Sequence, residues 1–190
     1  DDDVWGVLKV GCVNGNQFNE LENKELPNDI EPRIEYEIRA GDILISRANT
    51  KELLGSAALV SDGVRSHLLL CDKLYRLISN KTLINEFFIL FLRSFATRPH
   101  YEKEATGASG SMQNIGQDTV KNLPLTVPPI AEQREIVAYL EGETGRIDRM
   151  VALNQQAIDK LKEYRTALIT AAVTGKIDVR HWQEMKTKGA

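Results

Sequence analysis

The stretch "LPLTVPPIAEQREIVAYLEGE", Leu123 to Glu143, changes character within a few residues. Its first part is stiffened by Pro124, Pro128 and Pro129. Proline has no N–H to give to a central ladder, so Leu123–Val127 reads as an edge strand, and Pro128-Pro129 closes a domain. Ala131 then opens a helix, with Glu132 and Glu135 placed at the positive end of its dipole. The spacing predicts an α/β (α+β) domain over 1–128, a long α-helix over 129–175 that forms an antiparallel coiled coil, and a tail over 176–190.

The helix carries a heptad. With Val137 as an a position, the a residues are Val137, Thr144, Val151, Ile158, Arg165 and Ala172, and the d residues are Leu140, Ile147, Asn154, Leu161 and Leu168. Eight of these eleven are apolar, which makes a packed seam. The residues expected to pair helices are therefore Val137, Leu140, Ile147, Val151, Asn154, Ile158, Leu161 and Leu168, with Asn154 either fixing register or a simple imperfection. At about 1.5 Å per residue the segment from Glu132 to Ala172 runs roughly 60 Å. Gly142 and Gly145 mark a bend or a close approach by another helix, and Thr174-Gly175 ends the helix with a left-handed cap.

Upstream the pattern is short and mixed. Strands are expected at Val4–Val10, Tyr36–Arg39, Ile43–Arg47, Ala57–Val60 and Leu68–Leu77, with Ser61-Asp62-Gly63 as a turn. Asn80 or Thr82 caps a helix through Phe91 whose end Pro99 marks. "ATGASGSMQNIGQ", Ala105 to Gln117, is a loop by composition, and Asp118–Lys121 is one helical turn.

Composition excludes several classes. The chain has 190 residues, 42% hydrophobic and 27% charged, and its apolar run Phe87–Leu92 is six residues long, far short of a membrane span. There is no signal-peptide pattern, which points to the cytoplasm; a start at Asp1-Asp2-Asp3 suggests a fragment or a processed chain. Cys12 and Cys71 lie far apart without ligand spacing and read as reduced, packed thiols. A net charge of −3 argues against strong non-specific binding to nucleic acid but leaves room for a local basic face.

Catalytic constellations are missing. His67, His100 and His181 lack metal spacing, "TGASGSMQ" lacks the lysine of a phosphate loop, and no GxGxxG follows a strand. Glu22-Asn23-Lys24 has the acidic-x-Lys triplet of a nuclease without its partner carboxylate. Hence no catalytic residue and no metal ligand is expected.

Binding chemistry is better represented. Ser46-Arg47-Ala48-Asn49-Thr50 follows an apolar strand; arginine can bridge guanine and asparagine can bridge adenine in the major groove, so Arg47 and Asn49 are apt readers, joined by Thr50. An ordinary polar strand end is the alternative. Arg65 and His67 follow the glycine turn, and Ser109, Ser111, Gln113 and Asn114 sit among glycines that let a backbone approach phosphates, or else form a solvated loop.

The runs "GASGSMQNIGQDTVKNLPLTVPPIAEQREIVAYLEGETGRID" and "LKEYRTALITAAVTGKIDVR" resemble the end of a target-recognition domain and the adjoining spacer helix of the specificity subunit of type I restriction-modification enzymes. "AGDILISRANTKELLGSAALV" resembles the strand-turn-strand signature inside such domains. The resemblance covers essentially the whole chain. It implies a non-catalytic reader of one half of a bipartite DNA site, whose helix spaces two recognition domains. It also implies docking of a modification (methyltransferase) subunit and a motor-nuclease restriction subunit, with adenosylmethionine, ATP and Mg on those partners and no cofactor in this chain.

A full subunit of that family has two domains and two helices, so the C-terminal half of a longer subunit is expected, with a self-pairing natural half as the close second. The isolated chain is expected to dimerise through antiparallel helices and to bind DNA weakly and salt-sensitively. A structural coiled-coil adaptor and an endonuclease with its own recognition domain are the alternatives. The base sequence read is not expected to be legible from these residues.

Overall fold

The computed structural model describes residues 4–107 and 112–180. Its elements run β1 (Gly6–Leu8), β2 (Asn23–Glu25), β3 (Ile43–Ser46), β4 (Ala48–Asn49), β5 (Ala57–Leu59), β6 (Leu68–Leu69), β7 (Leu74–Leu77), α1 (Asn85–Arg93), α2 (Arg98–Glu104), β8 (Gln113–Asn114), α3 (Gln117–Lys121) and α4 (Ile130–Val173). Short 3-10 segments cover Val10–Asn16 and Ile34–Tyr36. The strands form three small sheets, ordered β2-β1-β6, β5-β3-β7 and β4-β8. All pairs are antiparallel except β1 with β6. The expected class, a mixed α/β domain followed by a long helix, is the fold observed.

Strand β3 organises the domain. Successive side chains of a strand point to opposite faces, and here both faces are covered. Leu44 joins a core with Leu8, Cys12, Val13, Ala58 and Leu68, while Ile43 and Ile45 join a second core with Leu54, Ala57, Ile89, Leu92 and Tyr101. The cross-strand register extends the division, since Leu44 faces Ala58 and Ile45 faces Ala57. This is why Ile43-Leu44-Ile45 is an unbroken apolar run rather than an alternating one.

Several expectations need correction. The first strand is shorter than Val4–Val10, because the chain from Val10 curls into a 3-10 segment. Tyr36–Arg39 forms no ladder: the Arg76 guanidinium donates to the carbonyls of Glu35 and Glu37, each at 2.8 Å, and only a single bridge joins Glu37 to Leu69. Leu68–Leu77 is two strands in two sheets, split by a turn in which Leu74 N–H donates to Cys71 O at 3.2 Å.

Helix α1 starts at Asn85; Asn80 instead accepts from the Thr82 N–H and hydroxyl in a local turn. Pro99 lies in the first turn of α2, where its missing N–H costs nothing. The Ala105–Gln117 loop contains β8, and Leu123–Val127 enters no sheet. The turn at Asp118–Lys121 forms as α3.

By contact the chain divides into two units, Asp1–Ala138 and Tyr139–Ala190. Helix α4 begins in the first, where Gln133 and Val137 are buried. Gln133 is fully enclosed, and its carboxamide is committed to other parts of the domain: Oε1 accepts Ile84 N–H at 3.0 Å, and Nε2 donates to Thr82 O at 2.7 Å and Pro128 O at 2.8 Å.

In the second unit the helix is unbroken through Gly142 and Gly145 and ends at Val173. Gly175 takes φ 74°, its N–H donates to Ala172 O at 3.2 Å, and Lys176 N–H reaches back to Ala171 O at 2.8 Å. Those two bonds are the Schellman closure. Among the described residues no helix is long and apolar enough to cross a membrane.

Candidate nucleic-acid interface

The polar residues that leave β3 do meet those of the 113–114 segment. Ala48 pairs with Asn114 and Asn49 with Gln113 across β4–β8. Beyond β8 the ladder continues to Thr106, whose N–H and carbonyl bond Asn114 at 2.9 and 2.8 Å. Ile115 N–H donates to Arg47 O at 2.9 Å, and the Tyr75 hydroxyl donates to Ile115 O at 3.3 Å. Main-chain hydrogen bonds thus hold Arg47, Asn49, Gln113 and Asn114 on one scaffold.

The side chains differ in what they have left to offer. Arg47 is half-buried, donates Nε to Asp72 O, and lies with its guanidinium carbon 5.7 Å from the Tyr75 ring centre, a cation–π arrangement that orients the fork. Asn49 is only 5% exposed; its Nδ2 donates to Asn14 Oδ1 at 3.2 Å, and its Oδ1 accepts Thr50 N–H at 2.9 Å. Its carboxamide therefore braces the start of the next turn. Thr50 is exposed, while Gln113 and Asn114 are half-buried.

Arg65 and His67 belong to another part of the domain, the sheet β2-β1-β6. Arg65 spends its guanidinium on Val4 O at 2.9 Å, Ser66 O at 3.4 Å and Asn23 Oδ1 at 3.4 Å. His67 adopts φ 63°, packs edge-on against Trp5 with ring centres 4.5 Å apart, and donates its backbone N–H to Glu37 Oε1 at 2.8 Å. Ser109 and Ser111, like His181 and Trp182 of the tail, lie outside the described residues.

A concavity of about 1140 Å3 runs along the open edge of β7 and is lined by apolar residues such as Leu77, Phe88, Leu123 and Val127, but by none of the candidate DNA contacts. Among the described residues no cluster of His, Cys, Asp or Glu is arranged to hold a metal. Cys12 is buried and Cys71 half-buried, both as free thiols against the same core; burial pushes the Cys12 pKa up to about 12 and raises that of Cys71.

Along the second unit the heptad residues Ile147, Val151, Ile158, Leu161 and Leu168 are exposed. Tyr139, Met150, Leu153, Tyr164 and Ile169 are exposed too, so the apolar surface is broader than a strict a/d seam. Val137 is buried in the first unit, and Leu140 is half-buried.

The family model described as "Type I restriction modification DNA specificity domain" matches residues 10–163. The chain belongs to that family. Relatives of this specificity-domain chain include the type I restriction enzyme EcoEI specificity subunit of Escherichia coli, 34% identical over 175 residues that make up 91% of this chain and 29% of that protein. Another is the putative type I restriction enzyme MjaX specificity subunit of Methanocaldococcus jannaschii, 25% identical over 73% of this chain and 32% of the relative.

The fold is shared with the crystal structure of the HsdS subunit from Thermoanaerobacter tengcongensis, with a TM-score of 0.64 and 21% identity over 89% of this chain and 43% of that one. It is shared as well with a chain from a structural study of complex assembly and conformational transition of the type I R-M system, with a TM-score of 0.66 and 18% identity over 89% and 38%. This specificity domain spans roughly a third of the length of the curated relatives it matches.

Reasoning from sequence alone missed Gln133. The available signal was a carboxamide in the first turn of a helix that directly follows a double proline, where side chains commonly satisfy orphan backbone groups.

Proposed function

We propose that the chain reads one half of a bipartite DNA site and that its long helix pairs with a second helix to set the distance between two readers. Family membership supports DNA recognition as the task. The observation that carries the division of labour is the apolar surface of Tyr139–Val173: Val151 is 61% and Leu161 66% exposed, far more than a finished helical surface leaves to water. Arg47, Gln113 and Asn114, with Thr50 beside them, are the side chains offered to DNA, and Asn49 holds their scaffold.

On this reading the chain has no chemistry of its own. It docks a modification subunit that carries adenosylmethionine and a motor-nuclease subunit that carries ATP and Mg, in the cytoplasm. Alone it forms a homodimer through antiparallel helices.

The test is to co-purify the chain with its modification subunit and assay methylation of random-sequence DNA with adenosylmethionine. Methylation at one defined split site is the expected result, palindromic if two copies pair. A stable complex without methylation, beside an active control with a full-length specificity subunit, overturns the reading role and leaves a helical adaptor. Cleavage of DNA by the chain alone with magnesium overturns the non-catalytic assignment.

A further inference from the structure

The 3-10 segment Val10–Asn16 breaks in its last turn, and the break lies beside β4. Cys12 and Val13 are fully buried in the core, and Asn19 N–H donates to Cys12 O at 2.9 Å, so the base of the turn is anchored. Asn14 then leaves the helical region with ψ 145°, and Gly15 takes φ 77° with nothing within 4 Å of where a Cβ would stand. The tip, Asn14-Gly15-Asn16-Gln17, is uncharged and carries three carboxamides.

Hydrogen bonds place this tip against the candidate DNA contacts. Asn14 Oδ1 accepts Asn49 Nδ2 at 3.2 Å, and Asn49 stands directly opposite Gln113 in the β4–β8 pair. Opposite residues of an antiparallel pair carry their side chains on the same face. Asn14 therefore flanks the face of β4–β8 on which Gln113 stands.

The same contacts decide which way the Asn14 carboxamide is turned. The oxygen and nitrogen of an amide exchange places by a half-turn unless a neighbour of known polarity chooses between them. Thr50 N–H is such a neighbour: a backbone N–H only donates, so the group 2.9 Å from it is Asn49 Oδ1. Asn49 then turns its Nδ2 to Asn14, which answers with Oδ1. What Asn14 has left over is its own NH2. Among the described residues that NH2 has no partner, and it is not enclosed, since the buried unpaired side-chain groups are Ser94 Oγ and the Tyr101 hydroxyl. Asn14 itself is half-buried.

We propose that Asn14 is a specificity-determining residue that donates Nδ2–H to an acceptor on a base edge, and that Asn49 is the positioning residue that sets this polarity. The inference rests on the reading of the chain as a DNA-recognition domain. Purine N7, guanine O6 and thymine O4 are such acceptors in the major groove, whereas cytosine presents its N4 amino donor there. An asparagine free to turn over serves either kind of edge. One held by Asn49 sets donor against donor when cytosine faces it, and so rejects cytosine.

The experiment uses the chain in complex with its modification subunit. A random-sequence duplex library is methylated with adenosylmethionine, and the methylated pool is sequenced to give base preferences at each position of the site. In the wild type, one position is expected to be depleted of cytosine about tenfold, the scale of one mismatched contact. Asn14→Ala removes that depletion at that position and leaves the others as they were. Asn14→Asp still accepts from Asn49 but presents an acceptor outward, so cytosine becomes the preferred base there.

Asn49→Asp separates positioning from contact. Its carboxylate accepts Thr50 N–H but has no donor for Asn14, which turns its NH2 inward and its Oδ1 to the DNA. The same position should then shift toward cytosine although Asn14 is unchanged. A defined site with the same preferences in Asn14→Ala and Asn14→Asp as in the wild type overturns the inference and leaves the DNA-reading role intact. An even loss of preference over all positions in both variants also overturns it, making Asn14 a structural residue only. No defined site with the wild-type chain, beside an active control, overturns the DNA-reading role and this inference with it.

Discussion

The Oε1 of Gln133, in the first turn of α4, accepts the backbone N–H of Ile84, the residue that leads into α1, at 3.0 Å. Both are far apart in sequence and close in the domain. One fully enclosed carboxamide thereby ties the start of the long helix to the entrance of another, and its amide group closes on Thr82 O and Pro128 O.

Replacing Gln133 by alanine strands the Ile84 N–H and two carbonyls without partners. The expected loss is about 3 kcal/mol, since each unsatisfied buried group costs about 1–3 kcal/mol. Urea denaturation measures it, and hydrogen exchange at Ile84 should accelerate ahead of global unfolding. Gln133→Glu, which keeps the acceptor and loses both donor bonds, should be no better.

Two glycines separate in their response to alanine. Gly55 has φ +78°, and an added Cβ would collide with Tyr101 ring carbons, so Gly55→Ala should cost at least about 2 kcal/mol from strain and clash together. At Gly142, inside α4, nothing lies within 4 Å of the added Cβ, and alanine should stabilise the helix by roughly 1 kcal/mol. Thermal midpoints moving in opposite directions would bear this out.

The exposed apolar residues of α4 should govern association. Val151→Glu together with Leu161→Glu is expected to leave the domain folded and to convert the predicted dimer to monomer at tens of micromolar, read by sedimentation velocity. Association unchanged by both charges would show that another surface pairs the copies.

Stability should fall in alkali. Burial, then the neighbouring Cys71 and Glu22, raise the Cys12 thiol from 9 to about 12. A folded-state pKa above the unfolded one means that the folded chain keeps a proton the unfolded chain loses. The contribution is therefore complete below pH 9 and lost as pH rises from 9 toward 12, on the order of 1.4 kcal/mol per unit. Tyr101, raised from 10 to about 12, adds to the loss only above pH 10. Urea midpoints between pH 7.5 and 10.5 should fall in the wild type, and Cys12→Ala, less stable at neutral pH for its lost volume, should show a flatter slope.

Much of this was legible in the sequence for a physical reason. Ile43-Leu44-Ile45 is buried on both faces and so wrote an uninterrupted apolar run, and α4 repeated its pattern long enough for periodicity to be unambiguous. The two-residue strands β4, β6 and β8 were hidden because no periodicity fits in two residues; backbone bonds to distant partners make them. Likewise the commitments of Asn49 to Asn14 and of Arg65 to Val4 and Asn23 depend on contacts across 35, 61 and 42 positions, which local chemistry does not reveal. Gln133 left a local signal, its place just after the double proline, but its partners Ile84 and Thr82 lie 49 and 51 positions away and could not be named from it.

The two-residue strand β8 is fastened through its main chain, to Thr106 on one side and β4 on the other, with Arg47 O taking the next N–H. Such bonds are indifferent to which side chain the residue carries. Gln113 and Asn114 can therefore be exchanged for other residues at small cost to folding, so that a lineage can try new contacts at these two positions without first acquiring a stabilising substitution elsewhere. In this domain novelty is cheap at β8 and expensive at β3.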